Sequence, residues 1–264
     1  MLQFGRFPSR LWMIAAAFFL TACASNPSPE QPKSDDRSRS QIYLELGVAY
    51  LQQGENRKAL RKLKEAKSLA GDDARIYNAL GLAYQQLGFD DQAEQAFQEA
   101  LDLNPKNPQV RNNYGVFLAK MGAYKRARRQ FEGALEDPLY NNPENAYYNL
   151  GWLARREGEP EKAEDMLRTA LRLRPTYPPA RLALARLLRE QGRPSEAGDQ
   201  VAKLLSRQPE HVQGHLLAAE LAMDNGDRDT ARKHLNKVAE LAPDSPAGQQ
   251  ARRMMEQLGQ ARGS

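Results

Sequence analysis

The chain has 264 residues, of which 41% are hydrophobic and 27% are charged, a composition typical of soluble globular or repeat proteins and not of multi-span membrane proteins. The net charge of +5 is too small to indicate nucleic-acid binding without a concentrated basic stripe. Cys23 is the single cysteine, which excludes an internal disulfide framework and any metal site with several cysteine ligands.

The amino-terminal segment has the organisation of a secretory signal peptide. Arg6 and Arg10 precede an apolar run over residues 11–20, which is too short to span a bilayer permanently. The letters Leu-Thr-Ala-Cys that end at Cys23 resemble the bacterial lipobox. This resemblance implies that residues 1–22 are removed and that the Cys23 thiol carries the lipid. The alternative is an ordinary signal peptide with an incidental cysteine.

The residues after Cys23 indicate a tether and a destination. In bacterial lipoproteins, an aspartate directly after the lipidated cysteine resembles a signal for retention in the inner membrane. This chain has Ala24 at that position. The resemblance therefore implies anchoring in the outer membrane, on its periplasmic face. Residues 24–39 contain three prolines and no large apolar residue. The composition of residues 23–39 therefore predicts a flexible tether. Its root-mean-square reach is about 20–24 Å.

From Ser40 onward the chain repeats with a period of about 34 residues. Each unit has a glycine where we expect its first helix to end: Gly54, Gly88, Gly122, Gly158, Gly192 and Gly226. An alanine follows each of these glycines at a fixed distance and lets the second helix approach the first: Ala59, Ala93, Ala127, Ala163, Ala197 and Ala231. The pattern predicts six two-helix repeats over 40–245, at 40–73, 74–107, 108–141, 144–177, 178–211 and 212–245. Residues 246–264 are predicted to form a capping helix and a tail.

This pattern resembles the tetratricopeptide repeat (TPR) family. The second repeat matches the family signature nearly completely, with Tyr77, Leu80, Gly81, Tyr84, Gly88, Ala93, Phe97, Ala100 and Pro105. Repeats five and six depart from it, since Ala185 and Ala219 replace the glycine of the first helix. The resemblance implies an all-α, right-handed TPR superhelix of six helix-turn-helix repeats with a carboxy-terminal capping helix.

No catalytic constellation is evident in the sequence. It has no Gly-rich phosphate loop, nucleophile elbow or HExxH motif. His211 and His215 are four residues apart and are a possible metal pair, but their places in the repeat favour a turn and a packing position. We therefore expect no enzymatic activity, cofactor, metal site or small-molecule substrate.

The resemblance also implies a binding groove on the concave face, lined by the first helix of each repeat. The candidate binding residues are Leu44, Val48, Leu51, Asn78, Leu82, Asn112, Val116, Tyr148, Trp152, Arg155 and Arg156. We expect the centre of binding at Leu44, Val48 and Leu51. They form a second apolar stripe, apart from a packing stripe of Tyr43, Leu46, Gly47 and Tyr50.

Alternatives remain open at both ends of this groove. Leu44, Val48 and Leu51 could instead pack against the tether or a neighbouring helix. Trp152 is about equally suited to anchoring a ligand and to packing between helices. The amides of Asn78 and Asn112 are suited to bonding an extended peptide backbone, because each amide both donates and accepts hydrogen bonds.

A two-residue insertion within residues 137–143 separates repeats three and four. Together with the string Asn-Asn-Tyr-Gly-Val-Phe-Leu over 112–118, it resembles the type IV pilus biogenesis lipoproteins, the pilotins of the PilF/PilW kind. This resemblance implies an outer-membrane lipoprotein that binds secretin subunits and promotes their localisation and multimerisation. The alternative is a TPR lipoprotein scaffold for peptidoglycan enzymes or for outer-membrane protein assembly.

Overall fold

The computed structural model describes residues 34–260, so the predicted signal peptide, Cys23 and the first part of the predicted tether lie outside the described residues. This part of the chain forms thirteen α-helices and no strand. The helices are α1 (Ser34–Gln52), α2 (Asn56–Leu69), α3 (Ala74–Leu87), α4 (Asp90–Leu103), α5 (Pro108–Lys120), α6 (Tyr124–Leu135), α7 (Pro143–Arg156), α8 (Pro160–Leu173), α9 (Pro178–Glu190), α10 (Pro194–Leu205), α11 (Val212–Asp224), α12 (Arg228–Leu241) and α13 (Pro246–Gln260).

Glycine and alanine define each helical pair, as the period predicts. All six junction glycines have φ values between 72° and 78°, a left-handed conformation that glycine adopts without steric cost. The alanine that follows each junction is fully buried. Within the first helix, a side chain on Gly81 would approach the Phe97 ring to 2.8 Å. Small residues therefore set the close contact between the two helices of a repeat.

The repeats stack into a superhelix with the first helices on the inside. Each first helix contacts the first helix of the next repeat, from α1 and α3 through to α11 and α13. Within residues 34–260, the backbones of second helices in neighbouring repeats lie further apart, and long side chains join them, as in the ion pair of Arg126 with Glu94. The first helices therefore line the concave face, and the all-α TPR superhelix predicted from the sequence is confirmed.

Within residues 34–260 the core forms five hydrophobic clusters, whose buried residues all lie between Leu44 and Leu258. The carboxy-terminal cluster includes Ala247, Ala251 and Leu258 of α13, so this helix covers the last repeat as a cap. A chain that begins at Ser34 thus contains every residue of these clusters and is expected to fold by itself. None of the described helices is long and apolar enough to cross a membrane.

Helix α1 begins earlier than predicted, because residues 34–39 are helical and do not belong to the tether. Asp35 and Asp36 lie in its first turn, where carboxylates offset the partial positive charge of a helix amino terminus. Ser40 is buried, and its hydroxyl donates to the Ala66 carbonyl at 2.9 Å. This bond fixes α1 to α2, so the ordered body extends six residues closer to Cys23 than composition predicts.

The insertion between repeats three and four is built around Tyr140. Its ring is buried beside Ala134 and Ala146, and burial raises the pKa of its hydroxyl. The Asp137 carboxylate accepts from the backbone N–H of Leu139 at 2.8 Å, and this turn leaves the Leu139 side chain exposed. The insertion therefore adds one buried aromatic ring between two repeats and keeps the stack continuous.

Candidate functional site

A groove of about 730 Å³ lies on the concave face at the amino-terminal end of the superhelix. Five of the predicted binding residues line it together: Leu44, Val48 and Leu51 of α1, and Asn78 and Leu82 of α3. Its rim is mostly polar, with Gln41, Glu45, Gln52, Arg75, Gln86 and Gln109. The structure thus brings the predicted apolar stripe of repeat one and its continuation in repeat two into one surface.

The three residues of the apolar stripe differ in how much surface they offer. Val48 is 37% exposed and Leu51 is partly buried, whereas Leu44 is only 5% exposed. Leu44 belongs to a core cluster with Leu63 and Ile76, which bears out for this residue the alternative of packing against neighbouring helices. Leu44 is therefore the floor of the groove, and the expectation that it is free for a partner is wrong.

Leu46 shows the opposite error. The sequence pattern places Leu46 in the packing stripe of repeat one, yet it is 40% exposed. In later repeats the equivalent residue faces the preceding repeat, and the described chain has no repeat before α1. The position of α1 at the end of the stack, which the repeat pattern does not encode, therefore leaves Leu46 uncovered.

Asparagine side chains link successive first helices along the concave face. Asn113 Nδ2 donates to Asn78 Oδ1, and Asn149 Nδ2 donates to Asn112 Oδ1, both at 3.0 Å. Asn112 is buried, so its amide holds α5 to α7 and does not face a partner, contrary to the prediction. Asn113 lines the groove instead. Asn112 and Asn113 are adjacent in sequence and point to different sides of α5. The sequence pattern assigned the groove position to the wrong one of the two.

The aromatic candidates of repeat four, Tyr148 and Trp152, mainly pack against other side chains of the protein. The rings of Trp152 and Tyr124 meet edge to face with centroids 6.2 Å apart. The Arg156 guanidinium lies 5.0 Å from the Tyr124 ring and 5.6 Å from the Trp152 ring, within cation–π range. Tyr148 packs edge-on against Tyr177 at 5.8 Å, and burial raises its pKa. These contacts favour the packing interpretation of Trp152.

The carboxy-terminal half of the concave face carries a ladder of ion pairs. Arg155 binds Glu190 at 2.5–2.8 Å, and one repeat later Arg189 binds Glu220 at 2.8 Å and Asp224 at 2.5–3.1 Å. The hydrogen bond and charge of Glu190 raise the pKa of Arg155. The Arg155 charge is thus already balanced within the chain. The acidic partners lie at concave-face positions of the first helices in repeats five and six. The acids at these positions are the sequence signal for the ladder, and repeats one to four do not contain it.

Val116 continues the concave surface between these two halves and is exposed. Toward the amino terminus lies the apolar groove, and toward the carboxy terminus lies the ion-pair ladder. A partner that bound the ladder would have to break existing ion pairs, whereas a partner of the groove would cover apolar surface. The groove is therefore the stronger candidate for the binding site.

The histidines have structural roles. His211 caps α11, with Nδ1 accepting from the Gly214 N–H at 3.0 Å. His215 is buried, with Nε2 2.7 Å from the Pro209 carbonyl and Nδ1 2.9 Å from His234 Nδ1. Because a carbonyl only accepts, His215 donates at Nε2 and accepts at Nδ1 from His234. No group of three or more metal-binding side chains occurs in residues 34–260.

This histidine pair predicts a loss of stability in mild acid. Burial, with added repulsion from His215 and Lys233, lowers the pKa of His234 below its usual value of 6.5. The unfolded chain then takes up the proton first as pH falls. The stabilising contribution is thus complete above about pH 6.5 and is lost as pH falls through the lower folded pKa.

The change His234→Asn isolates this effect, because an asparagine amide donates to His215 but does not titrate. We expect urea unfolding of the wild type to show a larger loss of stability between neutral and mildly acidic pH than the variant shows. Equal losses in the two proteins would contradict the role assigned to His234.

Comparison with known proteins places these features in a family. Family models described as tetratricopeptide repeat or TPR repeat match residues 47–88, 74–107, 107–176, 154–211 and 189–255. No curated protein sequence matches the chain significantly.

Several solved structures are similar over most of this chain. PilF of Pseudomonas aeruginosa is 26% identical with a TM-score of 0.70, covering 83% of this chain and 99% of PilF. PilW, a widely conserved type IV pilus biogenesis factor, is 27% identical with a TM-score of 0.71, covering 80% of this chain and 97% of PilW. The Cut9–Hcn1 tetramer of the APC/C has a TM-score of 0.70 at 16% identity, covering 84% of this chain and 43% of that one. It shares the fold alone.

The overlapping matches extend from residue 47 to residue 255. They agree with the paired helices, the junction glycines and the concave face described above. The chain belongs to the tetratricopeptide repeat family.

Proposed function

We propose that this TPR protein is an outer-membrane lipoprotein of the pilotin type, which binds secretin subunits and promotes their multimerisation for type IV pilus assembly. The observation that carries the proposal is the likeness to PilF and to the pilus biogenesis factor PilW over nearly the full length of both. The lipobox resemblance at Cys23 supports the lipid anchor, and Ala24 in place of an aspartate supports the outer-membrane location.

The groove has the chemistry to hold an apolar segment of another protein. Val48 and Leu82 present aliphatic surface above a floor that Leu44 and Ala79 provide. Burying each aliphatic side chain contributes about 1.5–3 kcal/mol before the costs of association. The polar rim is suited to hydrogen bonds at the edge of such an interface. An amphipathic segment with one apolar face fits this surface.

The groove also lies near the proposed anchor. Cys23 precedes Ser34, where the ordered body begins, by eleven residues. A flexible segment of this length has a root-mean-square span of about 17–20 Å. A secretin subunit bound in the groove is thus held close to the membrane in which it must assemble.

The groove is tested by the double change Val48→Gln and Leu82→Gln, which replaces apolar surface with amides. Neither side chain is fully buried, so we expect a folded protein. The measurement is the amount of SDS-resistant secretin multimer in cells that express the variant at the normal level. We expect at least a tenfold decrease, on the order of the 1.5–3 kcal/mol lost for each aliphatic contact.

The matched control is Leu103→Gln with Leu173→Gln. These leucines are also exposed, but they end second helices and do not line the groove. We expect the control to retain wild-type multimer levels. Wild-type levels in the groove variant would instead move the site toward Trp152 and Arg156 or off the concave face. Recovery of peptidoglycan enzymes in place of secretin, in pull-downs from solubilised envelope, would favour the scaffold alternative.

A further inference from the structure

The outer side of α1 carries an exposed apolar surface that the groove does not use. Ile42 is 55% exposed, and Leu46, one helical turn later, is also uncovered. Tyr43 and Tyr50 flank them on the side of α2, as the lysines above their rings show. We call Ile42, Tyr43, Leu46 and Tyr50 the end face. Val48 and the groove lie on another side of α1.

Ile42 and Leu46 occupy positions that the next two repeats bury. The residues equivalent to Ile42 in the second and third repeats are Ile76 and Val110, and both are buried. The corresponding residues after Leu46 are Leu80 and Tyr114, and both are buried as well. At the opposite end of the stack, α13 covers the last repeat. The amino-terminal end thus keeps an apolar contact surface where a solenoid normally has a polar cap.

The neighbouring helix α2 is strongly basic. It contains six lysines and arginines and a single acid, Glu65, whereas α4 contains five acids and no base. Arg57 and Arg61 are one helical turn apart and exposed, whereas Lys64 turns toward repeat two and lines a cleft with Tyr77 and Glu99. Like charges at this spacing destabilise a helix. Such an arrangement fits a surface that meets negative charge.

The basic helix and the end face form one continuous surface. Lys58 lies 5.6 Å above the Tyr50 ring, and Lys62 lies 4.9 Å above the Tyr43 ring. Both lysines also form ion pairs, with Glu55 and Glu65, so the exposed Arg57 and Arg61 supply the unbalanced charge. The surface therefore has an aliphatic centre, a row of tyrosines and a basic flank. Aliphatic side chains, tyrosines at the interface and surrounding lysines and arginines are the features by which helices lie on anionic membranes.

Composition and charge discriminate among the possible occupants. Residues 24–33 contain no large apolar side chain, so they cannot supply an apolar cover. A second copy placed symmetrically would bring two basic α2 helices together, which opposes association. The proposed anchor at Cys23 brings the end face within about 20 Å of a membrane, where each basic residue near an anionic surface adds attraction.

From this placement we infer that the end face and the basic side of α2 bind the surface of an anionic membrane, as a second contact beside the proposed lipid anchor. The inference rests on the membrane location proposed above. This contact orients the superhelix on the membrane, and because Val48 lies on another side of α1, the groove remains open to a partner.

The test uses residues 34–264, which contain the complete set of core clusters but no anchor. Flotation is measured with vesicles of phosphatidylethanolamine and phosphatidylglycerol and with vesicles of phosphatidylcholine alone. We expect binding only to the anionic vesicles, with loss of binding at high salt. Arg57→Glu with Arg61→Glu should lower the partition coefficient by about tenfold or more, and Ile42→Ser with Leu46→Ser should also lower it.

Matched controls separate this surface from general charge and apolarity. Lys125→Glu with Arg129→Glu makes the same charge change on exposed residues of α6, and Leu103→Ser with Leu173→Ser makes the same apolar change elsewhere. Both controls should float like the wild type. Equal loss in a control, absence of flotation by the wild type, or a dimer in solution that Ile42→Ser abolishes would overturn the inference. Intact secretin multimerisation alongside any of these results would leave the proposed function standing.

Discussion

Replacing Phe131 with alanine is expected to lower the free energy of unfolding by about 3–5 kcal/mol. The ring is 1% exposed and lies in a cluster with Phe97, Phe117 and Tyr114. Its edge fills the space that a side chain on Gly115 would take, at 2.5 Å from the missing Cβ. Since α5 and α6 meet through this ring, its loss leaves a cavity that two rigid helices cannot close.

The matched control is Phe89→Ala. Phe89 precedes α4 and is 46% exposed, so its removal should change stability by less than about 1 kcal/mol. Urea unfolding followed by circular dichroism measures both variants. Repeat proteins can unfold in parts, so the transition of the whole helical signal is compared. Equal midpoints for the two variants would contradict the register assigned to repeat three.

The local pattern of the sequence is enough to predict the fold. Gly88 and Ala93 fix a turn and a close helix contact whatever surrounds them, and their recurrence reveals six such pairs. The local pattern does not predict which neighbouring elements cover each helix. Leu44 and Leu46 are the same residue type on one helix, and only the position of α1 at the end of the stack decides which is covered.

Long-range pairing along the concave face was equally hidden from sequence analysis. Asn112 with Asn149, and Arg155 with Glu190, are 37 and 35 residues apart, slightly more than one repeat. Helical periodicity predicts which residues of one helix face the groove. It does not predict which side chain of the next repeat will bind them. The apolar residues Val48 and Leu82 form no hydrogen bonds through their side chains, and both line the groove.

These pairs give the two halves of the concave face different properties. The exposed ion pairs of the carboxy-terminal half contribute about 0–1 kcal/mol each to stability. Arg155 and Arg189 keep these partners when a ligand binds the groove at the other end. Binding at the amino-terminal half thus requires no rearrangement of the carboxy-terminal half. This arrangement is consistent with the proposal that the superhelix holds a partner beside the proposed anchor.

Replacing Cys23 with alanine is expected to detach the protein from the outer membrane while leaving it folded. The buried residues of the described core clusters begin at Leu44, so we expect these clusters to form in the variant. Acyl chains contribute about 0.8 kcal/mol for each buried CH₂ group, and stable anchoring needs more than one chain or a second contact. The contact inferred for the end face depends on charge, so a wash at high salt releases it and leaves only a lipid-anchored protein on the membrane.

Density-gradient separation of the two membranes measures this effect, and Ala24→Asp is the matched variant. It keeps the lipid but introduces the residue that resembles an inner-membrane retention signal, so it should move the protein to the inner-membrane fraction. Persistence of Cys23→Ala in the outer-membrane fraction would show that Cys23 is not the anchor. Because Val48 and Leu82 are unchanged in Cys23→Ala, secretin binding should survive. Surface pili should therefore decrease without disappearing, since the bound secretin is no longer delivered to its membrane.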